Sequence, residues 1–115
     1  MDCNQTIKLN PNDANVYYNR AYTYHLLKKY EEAVSDYSKV IEINPKHLNS
    51  YNNRGNSYYY LKKYEAAIVD FNQAIEINPN VAYSYYNRGL CYQALGETEK
   101  AEADFAKARE LGYNC

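Results

Sequence analysis

Asn-Pro stands at Asn10-Pro11, Asn44-Pro45 and Asn78-Pro79, at a constant interval of 34 residues. This period constrains the chain more than any other feature, because a unit so short cannot enclose a core alone and must stack on its neighbours. Residues 14–47 and 48–81 agree at 17 of 34 positions, too many for shared composition. A third copy, 82–115, follows in register with Tyr85, Asn87, Arg88, Gly89 and Tyr92. Residues 2–11 (DCNQTIKLNP) match 70–79 (DFNQAIEINP), so the chain opens inside a further copy. The expected organisation is one continuous domain: residues 1–13 as the C-terminal half of a second helix from an upstream repeat, then repeats at 14–47, 48–81 and 82–115.

Each copy reads as two helical segments. In the second copy Tyr51, Gly55, Tyr58 and Leu61 recur every three or four residues, which places them on one helix face. A second stripe, Tyr64, Ala67, Ile68, Phe71, Ala74 and Ile75, follows Lys62-Lys63 and is stopped by Asn78-Pro79, since proline cannot continue a helix. Small residues, with Gly55 expected to face Ala67, let the two backbones approach, so each copy is an antiparallel helix pair. Cys91, aligned with Thr23 and Ser57, reads as a small residue at a tight helix contact. Arg20, Arg54 and Arg88 each precede an aspartate (Asp36, Asp70, Asp104) by sixteen residues. Those positions lie at similar heights on neighbouring helices, which predicts arginine–aspartate bridges, with the pair inside one repeat favoured.

These residues resemble the tetratricopeptide repeat family, whose pattern is W-x2-L-G-x2-Y, then A-x3-F, then P, on a 34-residue period. The second copy carries Tyr51, Arg54, Gly55, Tyr58, Ala67, Phe71 and Pro79; the first carries Tyr17, Arg20, Ala21, Tyr24, Ala33, Tyr37 and Pro45. The third has Tyr85, Arg88, Gly89, Tyr92, Ala101 and Phe105, with Tyr113 where proline would stand. Tyrosine replaces tryptophan and arginine replaces leucine throughout. The resemblance implies an all-α fold, a right-handed α-solenoid of antiparallel helix pairs, and a role as a protein-interaction scaffold and not an enzyme. It also implies that first helices line the concave side, where family ligands lie as extended peptides or partner helices.

On that reading the candidate peptide-binding residues are Tyr18, Asn19, Tyr22 and His25 in the first copy, and Asn52, Asn53, Asn56, Tyr59 and Tyr60 in the second. The third copy adds Tyr83, Tyr86, Asn87 and Leu90. Sixteen tyrosines against two phenylalanines and no tryptophan make this face possible. Tyrosine offers contact area with few rotors to freeze, and asparagine offers both a donor and an acceptor to a peptide backbone. Asn19, Asn53 and Asn87 recur in every copy, which equally suits a shared structural bond to a neighbouring helix. One branch of the family grips the acidic carboxylates of chaperone tails with a basic clamp. Its lysine and arginine positions hold Tyr18, Tyr83 and Asn87 here and only Asn53 matches, so that mechanism is not expected.

Other classes find little support. The net charge of −1 supplies no field to draw in nucleic acid or an anionic membrane, and no apolar run approaches the length of a membrane span. Single-stranded RNA binding, by tyrosines stacking on bases, lacks a basic groove to track phosphates. His25, His47 and the three cysteines, Cys3, Cys91 and Cys115, show no ligand spacing, so no cofactor or metal is expected. Scattered thiols in odd number suit a reducing, cytoplasmic setting.

The ends of the array differ from its middle. Glu102 and Arg109 replace the apolar pairs Val34/Ile68 and Ile41/Ile75, and Gly112 replaces asparagine, which predicts a C-terminal capping repeat. At the other end Ile7 and Leu9 stay apolar, which predicts self-association through the N-terminal end, with a self-associating repeat module as the alternative function.

Overall fold

The paired stripes of each repeat become paired helices in the computed structural model, which describes residues 14–112. The first repeat forms α1 (Ala14–Leu26) and α2 (Tyr30–Ile43), the second α3 (Leu48–Tyr60) and α4 (Tyr64–Ile77), the third α5 (Ala82–Ala94) and α6 (Thr98–Glu110). No strand occurs among the described residues. The half-helix expected in 1–13, with Ile7 and Leu9, and the departure from the pattern at Tyr113 lie outside them. Each helix packs on the one before and the one after it, giving an all-α stack of hairpins that measures 44 × 29 × 22 Å.

The Asn-Pro pairs end helices by two means. Proline blocks continuation, and the asparagine side chain folds back: Asn44 Oδ1 accepts from Lys46 N–H at 3.2 Å and Asn78 Oδ1 from Asn80 N–H at 3.0 Å. At the next helix start, His47 Nδ1 accepts from the Ser50 N–H at 3.3 Å and so caps α3.

Inside each hairpin the chain turns through one left-handed residue: Lys28 (φ 63°), Lys62 (φ 64°) and Gly96 (φ 80°). The following N–H closes the turn, Lys29 to the Tyr24 carbonyl and Lys63 to that of Tyr58, both at 2.8 Å. A side chain in this region costs roughly 1–2 kcal/mol, whereas glycine loses about 0.5–1 kcal/mol more chain entropy on folding. Lys62→Gly is therefore expected to stabilise the protein by about 0.5–1 kcal/mol in urea unfolding. A lower midpoint would show that the lysine is not strained there.

The core is a row of small clusters, within the hairpins and at the seams between them. Ala21, Ala33 and Tyr37 form the first, with Tyr18 and Tyr24 against them; Ala67, Phe71 and Cys91 form the second, with Ile68. Cys91 of α5 thus packs on the preceding repeat as a small residue at a close contact. The close approach at Gly55 involves a ring as well as the small residue. A Cβ built on Gly55 would lie 2.8 Å from the ring of Phe71, and one on Gly89 would lie 2.8 Å from Phe105 and 3.2 Å from the carbonyl oxygen of Ala101, which aligns with Ala67. The glycines make room for a ring one turn further along the facing helix.

The polar pattern also has a structural purpose. Each arginine grips the aspartate of its own repeat with two parallel bonds: Arg20–Asp36 at 2.6 and 2.8 Å, Arg54–Asp70 at 2.8 and 2.7 Å, and Arg88–Asp104 at 2.8 and 2.7 Å. A third bond crosses the seam, from Arg54 to Ser38 Oγ at 3.0 Å and from Arg88 to Asn72 Oδ1 at 2.9 Å. Arg54 also lies between the rings of Tyr51 and Tyr58, each 5.9 Å away, and Arg88 between Tyr85 and Tyr92. The hydroxyls of Tyr51 and Tyr85 donate to the carbonyls of Pro45 and Pro79 at 2.9 Å, pinning the loop between repeats.

In the third repeat Glu102 and Arg109 are exposed, whereas Ile68 and Ile75 pack against the repeat that follows them.

Candidate functional site

Curvature decides which side of the stack can hold a ligand. Helices α1, α3 and α5 touch one another in order, whereas α2, α4 and α6 touch no other second helix. The stack bends toward its first helices, and their outward side chains line the inside of the bend.

Along that inner face run Asn15, Tyr18, Asn19, Tyr22 and His25 of α1; Asn49, Asn53, Asn56, Tyr59 and Tyr60 of α3; and Tyr83, Tyr86, Asn87, Leu90 and Gln93 of α5. None of these positions carries a formal charge. Two aromatic side chains stand well clear of the surface, Tyr22 at 48% exposure and Tyr60 at 54%. Asn19 and Gln93 are exposed as well.

Several expected residues hold the wall together instead. Asn52 is only 2% exposed, and its Oδ1 accepts from Ser84 Oγ at 2.9 Å across the seam, so it leaves the open face. Asn53 Nδ2 donates to the Tyr18 hydroxyl at 2.8 Å, and the amide of Asn56 donates to the hydroxyl of Tyr83. Asn87, largely buried, donates to the Tyr83 carbonyl at 3.0 Å. The recurring asparagine at 53 and 87 thus makes a structural bond in each repeat, though to a different partner.

The aromatic side chains pack in groups along this face. Tyr60 stacks on Tyr30, centroids 5.0 Å apart and planes 15° apart, with His25 beside both. Tyr59 meets Tyr60 and Tyr64 edge-on, and Tyr86 tilts against Phe105. Tyr30 was not singled out in the sequence; its signal is the tyrosine that opens α2 and α4 alike, Tyr30 and Tyr64. Leu26, 64% exposed, was missed too, although it aligns with Tyr60. Leu90 is half-buried and lines a shallow cleft with Tyr86, Gln93, Phe105, Ala108 and Arg109.

Burial lowers the pKa of both histidines below the usual imidazole value. At neutral pH the inner face therefore gains no positive charge from His25, whose Nδ1 lies 3.3 Å from Ser57 Oγ, nor from His47 behind Tyr18. Burial also pushes the Cys91 thiol up to about 12, which keeps it an inert core residue. Among the described residues no helix is long and apolar enough to cross a membrane.

A tetratricopeptide repeat model matches residues 14–47 and 49–81, and a second model of the same description matches 71–103. The chain belongs to the tetratricopeptide repeat family. Solved structures of tetratricopeptide repeats superpose on it closely. The first such domain of Spaghetti (RPAP3), bound to the HSP90 peptide SRMEEVD, is 30% identical, with a TM-score of 0.86 over 96% of this chain and 87% of that one. The domain of Arabidopsis OM64 is 25% identical, with a TM-score of 0.85 over 86% and 82%. The TPR2B domain of yeast Sti1, in complex with pHsp70, is 26% identical, with a TM-score of 0.83 over 85% and 78%. A search of curated proteins gives no significant match. Tetratricopeptide repeats are protein-interaction scaffolds; the similar domain from Spaghetti holds an HSP90 peptide, and that from Sti1 is in complex with pHsp70.

Proposed function

We propose that this tetratricopeptide array is an adaptor that holds an extended, largely uncharged segment of another protein along its inner face. The observation that carries this reading is the composition of that face: exposed Tyr22 and Tyr60 beside Asn19, with no formal charge at any inner position. Rigid aromatic anchors among amides suit a peptide backbone and apolar side chains. The acidic HSP90 peptide held by the Spaghetti domain would meet Tyr18, Tyr83 and Asn87 here in place of basic side chains. An acidic tail is therefore not the proposed ligand. The reducing interior of a cell is the setting that the lone thiols favour.

The test is a selection from a displayed peptide library, followed by calorimetry on the selected sequences. Affinity should change little across a salt titration, because few counterions are displaced. Tyr22→Ala and Tyr60→Ala should each cost about 1–3 kcal/mol of binding, the range of aromatic anchors. Selection of acidic tails, or binding that salt abolishes while both substitutions are silent, would refute the proposal.

A further inference from the structure

Position 37 holds a group that packing does not require. Tyr37, on α2, is fully buried, and its hydroxyl is the one buried side-chain polar atom without a hydrogen-bond partner among the described residues. Buried hydroxyls almost always find partners, and one left without is costly. The aligned residues in the other repeats are Phe71 and Phe105, which fill the same place with a bare ring. A phenylalanine would therefore serve the core at 37, and the hydroxyl calls for another account.

The ring of Tyr37 lies beside a tyrosine of the inner face. It meets the ring of Tyr18 edge-on at 5.7 Å, and the phenols of Tyr18, Tyr22 and Tyr83 lie near enough that ionising any of them would disfavour ionising Tyr37. Asn53 and Asn56, one turn apart on α3, donate to the hydroxyls of Tyr18 and Tyr83, so side chains from α1, α2 and α5 come together at this part of the groove. Burial holds the Tyr37 hydroxyl far above the usual phenol range, so it stays a neutral donor at any physiological pH. Tyr18 accepts from Asn53, which leaves its own proton to donate elsewhere. The convergence offers O–H donors but no lysine or arginine, and a carboxylate placed there would be desolvated without a counter-charge.

We propose that Tyr37 is the donor of a buried subsite, walled by Tyr18, Tyr22 and Tyr83, that takes a neutral carbonyl oxygen of the bound segment, from its backbone or from an Asn or Gln side chain. This deepens the reading of the inner face as a peptide groove and rests on it. Tyr22, half exposed, is the wall that would have to move to admit the carbonyl. The hydroxyl absent from phenylalanine at 71 and 105 marks the first repeat as the place where the segment is held by its main chain.

The experiment uses the whole chain with its tyrosines labelled at 13Cζ, a nucleus that reports hydrogen bonding by the phenol. N-methylacetamide serves as the neutral probe and acetate as the anionic one. The Tyr37 signal, identified as the one missing from Tyr37→Phe, should move and saturate with N-methylacetamide and respond far less to acetate. Tyr37→Phe should melt at or above the parent temperature, as Phe71 and Phe105 foretell, and should bind terminally blocked peptides from the selection roughly tenfold more weakly. A Tyr37 signal indifferent to N-methylacetamide, an equal response to acetate, or full peptide affinity in Tyr37→Phe would each overturn the proposal. If peptides bind but ignore Tyr37, only this subsite falls. If N-methylacetamide titrates Tyr37 and no peptide binds, the groove reading falls and the subsite stands.

Discussion

Arg54→Ala is expected to lower folding stability by about 3–5 kcal/mol, the range for removing one partner from a buried ion pair. The substitution leaves the Asp70 carboxylate, 2% exposed, without its two bonds and severs the link to Ser38. It also empties the space between Tyr51 and Tyr58. The same change at Arg20 should cost much less, about 1 kcal/mol, because that side chain is 58% exposed against 19% for Arg54 and water can replace part of what it gives. Replacing both Arg54 and Asp70 with leucine should recover part of the loss, since no lone charge remains buried. Equal melting temperatures for Arg54→Ala and Arg20→Ala would show that burial does not govern these pairs.

Gly55→Leu is expected to be comparably damaging, at about 3 kcal/mol or more, the upper end of overpacking. The first added carbon already falls 2.8 Å from two carbons of Phe71, a ring with no exposed surface, and three more carbons have nowhere to go. Gly55→Ala is a finer test, because two effects oppose. Alanine gains about 1 kcal/mol of helix propensity over glycine, while its methyl forces the Phe71 ring to shift. Ala21 sits over Tyr37 at the aligned place, so the shift is feasible, and the net change should stay within about 1 kcal/mol. Urea unfolding of the two variants separates these terms. A parent-like midpoint for Gly55→Leu would mean that α3 and α4 meet in another register.

The repeat made much of this architecture readable. Three copies in phase located six helices, and the sixteen-residue interval placed Arg54 opposite Asp70, because both facts depend only on rise per residue and on an antiparallel pair. What stayed hidden depended on finer offsets. Ala67 and Phe71 lie one turn apart on the same face of α4, so the stripe alone could not say that the Phe71 ring comes nearest to Gly55. The stack of Tyr30 on Tyr60 joins the second helix of one repeat to the first helix of the next. Its geometry follows from the twist between hairpins, which no local pattern encodes. The asparagines show a further limit: Asn52, Asn53 and Asn56 have the same chemistry on one helix, yet one is sealed in the seam and two support tyrosines. Tyr37 was visible as a member of the aromatic pattern, but its hydroxyl acquires meaning only from what surrounds it.

The seam-crossing bonds of Arg54 and Arg88 also have a mechanical side. Each guanidinium is anchored to its own hairpin and reaches a side chain on the previous one, so the residue at that far contact works as a shim that sets how far one hairpin leans on the next. Ser38 and Asn72 differ in length, and both lie on the outer helices, away from the ligand channel. Substitution at these two outward positions is therefore expected to alter the lean of one hairpin on the next from the outer side, without changing a side chain inside the channel.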